Sequence, residues 1–341
     1  MRVAALADVF KVILYVIASF ILAAVISPYL FEIGKGFAHV ASTKDTVDRV
    51  AWLADQAGKA DFPAYFNRAL LFSALICLIP FFYSLDLRRH PRLRKSNPWS
   101  VGLPPNAIPS EMGQPLKRGH WGILHTLAGF CLAAGFSLLL AWFLFKLNWF
   151  SWDRSSTGSQ VWNSLKSAIG VSVIEELFFR GALLGIFLRA FRPSAAIIFL
   201  SFIYATAHFL TLPVDPKAID PQSSRAGFDV LTLIAQRLLQ PELLIDHFLF
   251  LFLAGLILGA ARYFTASLWL PIGLHAGWIF STKIIESLAM RRADFPDKFE
   301  LYMGERLIEG LVPVGILLMT GIAVATYLRL TLPRPQDTFM E

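Results

Sequence analysis

Apolar runs long enough to cross a lipid bilayer recur from one end of this chain to the other, and they decide what its backbone can do. A hydrocarbon core about 30 Å thick needs about 20 apolar residues in a helix. An open sheet cannot satisfy its peptide groups there, so each run is expected to be helical. Val9 to Leu30 sets the pattern, with Lys11 near its start as the only ionised side chain. With 56% hydrophobic and 16% charged residues among 341, the chain is much more apolar than a soluble domain, where about 25% are charged. The expectation is an all-α, polytopic integral membrane helical bundle.

About eight transmembrane helices are predicted: Val9 to Leu30, Ala69 to Leu85, Trp121 to Phe145, Ala168 to Phe191, Ala195 to Leu212, Glu242 to Tyr263, Ala266 to Ile285 and Gly310 to Leu330. The first lacks a small-residue cleavage site and reads as a retained span rather than a signal peptide. Between the spans, Val47 to Leu53 has the spacing of a short surface helix, Val230 to Leu239 reads as amphipathic, and Glu286 to Glu309 as an extramembrane helix-like segment. Residues 1–160 supply spans and a basic loop without a motif, 161–285 the candidate catalytic core, and 286–341 the extramembrane segment and the last span. No internal repeat or soluble second domain is visible.

The basic residues concentrate in one loop, from Leu87-Arg88-Arg89-His90 through Lys95 to Lys117-Arg118. The positive-inside rule puts that loop in the cytoplasm, which places both termini there, in the inner (plasma) membrane. The net charge of +7 is then a lipid-facing feature; no nucleic-acid motif accompanies it. Trp142, Trp149 and Trp152 read as interfacial anchors, and His120 and His125 as interfacial. Cys77 and Cys131 sit in apolar runs without a metal or disulfide pattern and read as packing residues.

Glu175-Glu176-Leu177-Phe178-Phe179-Arg180 lies inside one of the spans. An ionised carboxylate at bilayer depth costs about 2.5–3.5 kcal/mol on insertion scales, and such residues commonly mark function. In a helix Glu176 and Arg180 are i,i+4 partners, whereas Glu175 points about 100° away from Glu176. One carboxylate has a counter-ion, and the other is left for a different task. His208 and His275 lie in apolar runs on two further spans. Small residues flank all of these groups (Gly170 and Gly181, Ala205 and Ala207, Gly273, Ala276 and Gly277) and would let the helices approach closely.

Two carboxylates and two imidazoles in a wet pocket could activate water, with a glutamate as general base and a histidine sharing the proton or stabilising an oxyanion. The same set could hold zinc; His-Glu-x-x-His is absent, so no helical metal motif supports it and no cofactor is expected. Gly-x-Ser-x-Gly is absent too, as is a Cys-His signature.

Glu-Glu-x-x-x-Arg on one span, an aromatic residue four positions before a His on the next, and a later His after Leu-Trp-x-Pro together resemble the CPBP family of intramembrane endopeptidases, which includes type II CAAX prenyl proteases. The resemblance covers roughly Ser167 to Phe280. It implies hydrolysis of a peptide bond in a membrane-associated peptide or protein by a glutamate-activated water. Carried over, Glu175 is the base, His208 its partner and His275 the oxyanion stabiliser, with Glu176 and Arg180 shaping the pocket. The family has been described as both metallo and glutamic, and a metal, if present, would fall to Glu175, His208 and His275. Two positions depart from the family pattern: Tyr204 replaces a usual Phe, and Ile279 a usual Asn that helps hold the oxyanion. Asp246 and His247 are candidate polar substitutes. Two other readings stay open: a catalytically inactive scaffold or immunity-type relative, motivated by Ile279, and an ion-coupled transporter, for which the paired broken helices of inverted repeats are missing.

Overall fold

The computed structural model describes residues 2–43, 48–85, 121–152, 158–209, 216–239, 248–292, 295–296, 299, 301–304 and 309–331. The basic loop, His120, Asp246 and His247 lie outside them. The described elements are α1 (Arg2–Ser42), α2 (Asp48–Lys59), α3 (Phe62–Ser84), α4 (Trp121–Lys146), β1 (Phe150–Trp152), α5 (Gly158–Glu176), a π-helical segment (Leu177–Leu183), α6 (Leu184–Ala190), α7 (Pro193–Phe209), α8 (Ala226–Leu238), α9 (Leu249–Thr265), α10 (Trp269–Leu288), β2 (Ala289–Arg291) and α11 (Leu311–Thr331). The chain is an all-α membrane bundle with one short two-stranded ribbon. Among the described residues, Leu6–Ser42, Phe62–Phe81, Gly122–Lys146 and Leu311–Thr331 are long and apolar enough to cross a membrane, and Pro193–His208, Ala226–Gln236 and Leu249–Thr265 are shorter apolar helices.

Two compact units divide the chain, residues 3–89 with 207–240 and residues 90–206 with 241–341. In the first, α1 continues to Ser42, well past Leu30 where the apolar run stops. Its polar end is tied down by Lys35, whose ammonium donates to the carbonyls of Gly58 at 2.6 Å and Ala60 at 2.8 Å, at and just beyond the end of α2. Those carbonyls lack helical N–H partners, so a lysine there is favourable twice over. The chain then turns at Asp61, whose carboxylate caps α3 by accepting the N–H of Ala64 at 2.9 Å, with Pro63 in the first turn. A core of Ala23, Phe31, Phe62, Tyr65, Phe66, Val230 and Ile234 joins α1, α3 and α8.

In the second unit α4 and α10 run in the same direction in close contact. A Cβ on Gly273 would overlap the Thr126 carbonyl, and one on Gly277 would come within 2.6 Å of the Phe130 carbonyl. The anticipated close approach is therefore realised at these glycines. It is not at Gly170, whose Cβ position has nothing within 4 Å, nor at Gly181, where the nearest neighbour stands 3.6 Å off. Gly273→Val is accordingly expected to lower stability by about 1–3 kcal/mol through overpacking. Gly170→Ala should be neutral or raise it by up to about 1 kcal/mol through helix propensity. Thermal unfolding in detergent checks both.

Helix α11 runs opposite to α4, because the Tyr327 hydroxyl meets His125 Nδ1 at 2.8 Å near one end while Val312 and Ile316 pack with Leu140 and Leu144 near the other. His125 is buried against α11, the phenol giving it a polar partner inside the bundle. Helices α7 and α9 are antiparallel, with Gly255 against Ser201 and Gly259 against Ile197.

Among the described residues of the expected helix-like segment Glu286 to Glu309, α-helix is confined to Glu286 to Leu288, the end of α10. The chain then pairs antiparallel with β1, Phe150 opposite Arg291 and Trp152 opposite Ala289, and the Arg292 N–H extends the ladder to the Trp149 carbonyl at 3.1 Å. Pro296 removes a helical donor. Trp149, expected as an anchor, stacks on Phe299 with ring centroids 5.2 Å apart and meets Phe295 edge-on at 5.3 Å. Trp142 does stay exposed, and both cysteines are free.

Candidate active site

The second unit gathers Glu175, Glu176, Arg180, Tyr204 and His275 from three stretches of chain. Glu176 and Arg180 form the i,i+4 pair expected from their spacing, Nη1 to Oε1 at 2.8 Å, and both side chains are essentially inaccessible (0% and 1% exposed). The same Oε1 is 2.8 Å from Nδ1 of His275. A ring N–H aimed at the carboxylate oxygen puts a proton on Nδ1, and in that neutral tautomer the imidazole presents its lone pair at Nε2. Two groups meet that lone pair. The Tyr204 hydroxyl is 3.3 Å away, and Glu175 Oε2 is 3.9 Å away.

Glu175 differs from its neighbour in being 27% exposed. Its separation from His275 Nε2 is too long for a direct hydrogen bond. One water placed about 2.8 Å from both atoms would subtend an angle of about 90° and touch each of them. The two carboxylates therefore address opposite nitrogens of one imidazole, one locked in place and the other part-exposed, with its Oε2 buried on the His275 side.

The backbone that carries this arrangement is not a plain α-helix. From Leu177 to Leu183 the chain is wound as a π-helix, and the Leu184 N–H bonds the Phe179 carbonyl five residues back. Such turns concentrate at functional sites. Returning to i→i+4 bonding skips one carbonyl, and the next in line is Arg180's. That carbonyl accepts from Arg262 Nε at 3.3 Å, and Arg262 is itself 1% exposed. Arg180 in turn reaches the Gly255 carbonyl with Nη2 at 3.5 Å. Helix α9 thus grips the π segment from both sides of one residue.

Sequence reading missed Arg262, because a basic residue near the end of an apolar run usually snorkels to the surface. The signal available was its stripe: Gly255, Gly259 and Arg262 share one face of α9 at i, i+4 and i+7, and two glycines there mark a buried face. Arg262→Met is expected to leave the Arg180 carbonyl without a donor, at a cost of about 1–3 kcal/mol. Arg262→Lys should recover part of it. Unfolding in detergent measures the difference.

Tyr204 is buried on α7, its ring edge-on to Phe179 with centroids 5.1 Å apart and its face under the Arg180 guanidinium at 4.3 Å. His208 follows one turn later on the same helix and is half-buried; α7 passes from the second unit to the first at Ala207. Ile279 lies one turn after His275 on α10, half-buried and aliphatic. Glu176 Oε2 and Arg180 Nε are buried without a hydrogen-bond partner among the described residues. Among those residues no three His, Cys, Asp or Glu side chains are gathered where they could hold a metal ion.

The helix directions also fix where these residues sit in the second unit. Because α4 and α10 are parallel, they begin at the same end, and His275 is six residues into α10, about 9 Å from that end. The basic loop leads directly into α4.

No curated protein and no solved structure matches the chain. A family model does, over the stretch that carries these residues: residues 157–281 match the model described as Rce1-like, type II CAAX prenyl endopeptidase.

Proposed function

We propose that this chain is an intramembrane endopeptidase in which Glu175 activates a water for attack on a peptide bond. One observation carries the reading: His275 is held at Nδ1 by Glu176 at 2.8 Å and approached at Nε2 by Glu175 at 3.9 Å. That division of labour suits general base catalysis. Glu176, paired with Arg180, holds the imidazole at Nδ1. Glu175 takes a proton from the water whose oxygen bonds to the substrate carbonyl carbon. The carbonyl electron pair moves onto oxygen, giving a tetrahedral intermediate beside His275. Collapse breaks the C–N bond, and Glu175 returns its proton to the leaving amine. His208 keeps the role that the resemblance gives it, a partner in moving that proton. No step runs through a metal.

The Rce1-like match supports a membrane-associated peptide or protein as the substrate class. With the basic loop cytoplasmic under the positive-inside rule, the residues at the α4 and α10 start would face cytoplasmic substrates. Purified protein in liposomes tests the reading with three probes: a farnesylated Cys-a-a-X peptide, its unprenylated counterpart, and a pool of membrane-protein peptides. Cleavage of at least one, unchanged after dialysis against a chelator, is expected. No product from any probe would overturn the reading, and activity lost to the chelator and restored by zinc would replace the glutamic mechanism with a metal one.

A further inference from the structure

We propose that the Tyr204 hydroxyl is the hydrogen-bond donor to the oxyanion of the tetrahedral intermediate; the inference rests on the endopeptidase reading above. The starting point is what His275 has left to give. Its one N–H in the neutral form points at Glu176, 2.8 Å from Nδ1, so at Nε2 it offers a lone pair and no proton. An oxyanion forming on that side needs a donor from elsewhere. Ile279, one turn along α10, has none.

Tyr204 supplies one in a fixed position. Its ring is clamped by Phe179 at 5.1 Å and by the Arg180 guanidinium at 4.3 Å, which aims the hydroxyl at the Nε2 side of His275. A phenylalanine would fill the same space, so packing does not explain the oxygen. At 3.3 Å the contact with Nε2 is long for a hydroxyl donor, whose bonds to oxygen cluster at about 2.7–2.8 Å. A bond so loosely made is easily exchanged. A charged acceptor forms a shorter bond of roughly twice the strength, so the O–H turns from Nε2 to the oxyanion as charge builds. The phenolic proton stays on Tyr204 throughout; the water's proton goes to Glu175 and from there to the leaving amine.

An amide at position 279, i+4 from His275, would stand on the same stripe of α10 and could serve the same oxygen. Hydroxyl at 204 and amide at 279 are then interchangeable solutions, which makes the test a swap. With the probe that wild-type protein cleaves in liposomes, Tyr204→Phe is expected to lower kcat by about 10²–10³-fold with KM within about threefold, and Tyr204→Phe/Ile279→Asn to regain at least about tenfold of it. Wild-type kcat in Tyr204→Phe, or a double variant no faster than the single one, overturns the proposal. Trifluorotyrosine at position 204 keeps the shape and changes the acidity of the hydroxyl; it should shift kcat and leave KM alone, and an unchanged kcat would count against the role without relying on the Phe variant's folding. Failure of the underlying reading looks different: wild-type cleavage would then be absent or indifferent to Glu175→Gln.

Discussion

Glu175→Gln is expected to lower the cleavage rate by about 10²–10⁴-fold, the range a general base contributes, and to leave folding nearly untouched. The amide has the size and shape of the carboxylate but cannot take a proton from water. Structural cost is small because Glu175 is 27% exposed and its 3.9 Å separation from His275 Nε2 is too long for a direct hydrogen bond. Cleavage of the liposome probe and thermal unfolding of the same preparation check the two halves together. A variant that unfolds early would make Glu175 a structural residue; one that cleaves at the wild-type rate would remove the mechanism.

Glu176→Ala is expected to do the opposite, costing about 3–5 kcal/mol of stability because it strands the buried Arg180 guanidinium. Glu176 Oε1 is shared by Arg180 and His275 at 2.8 Å each, so one truncation unsettles two partners. Glu176→Leu/Arg180→Leu should recover most of the stability, since well-packed apolar residues replace buried ion pairs at little net cost. Cleavage should not return with it. His275 would still lack the acceptor that fixes its Nδ1 proton, so stability and activity would come apart. Unfolding and cleavage measured on the two variants side by side test this; recovery of both in the double variant would show that Glu176 is only a counter-ion.

What could be read before any coordinates follows from how local each feature is. The helical architecture was legible because hydrocarbon leaves the backbone so few options, although span ends moved, α1 running on to Ser42 and α3 starting at Phe62. The Glu176–Arg180 pair was legible because i,i+4 spacing is local. The grip of Glu176 on His275 was not, since 99 residues separate them and no periodicity encodes the meeting. Nor was the π segment, because a change from i→i+4 to i→i+5 bonding leaves no mark in composition, and Arg262, which answers its orphaned carbonyl, went unremarked near the end of an apolar run. The β1–β2 ribbon was missed because two three-residue strands carry too little alternation to detect. Tyr204 stood out only as a departure from a family pattern; its hydroxyl acquired meaning once His275 Nε2 was found 3.3 Å away.

Single-turnover cleavage in ¹⁸O-labelled water, followed by mass spectrometry of both the product and the protein, bears most directly on Glu175 as the residue that activates water. One ¹⁸O atom in the new product carboxylate, with the Glu175 side chain unlabelled, is the expected result. Label entering Glu175 itself would mean a covalent acyl intermediate on that carboxylate and would contradict the account.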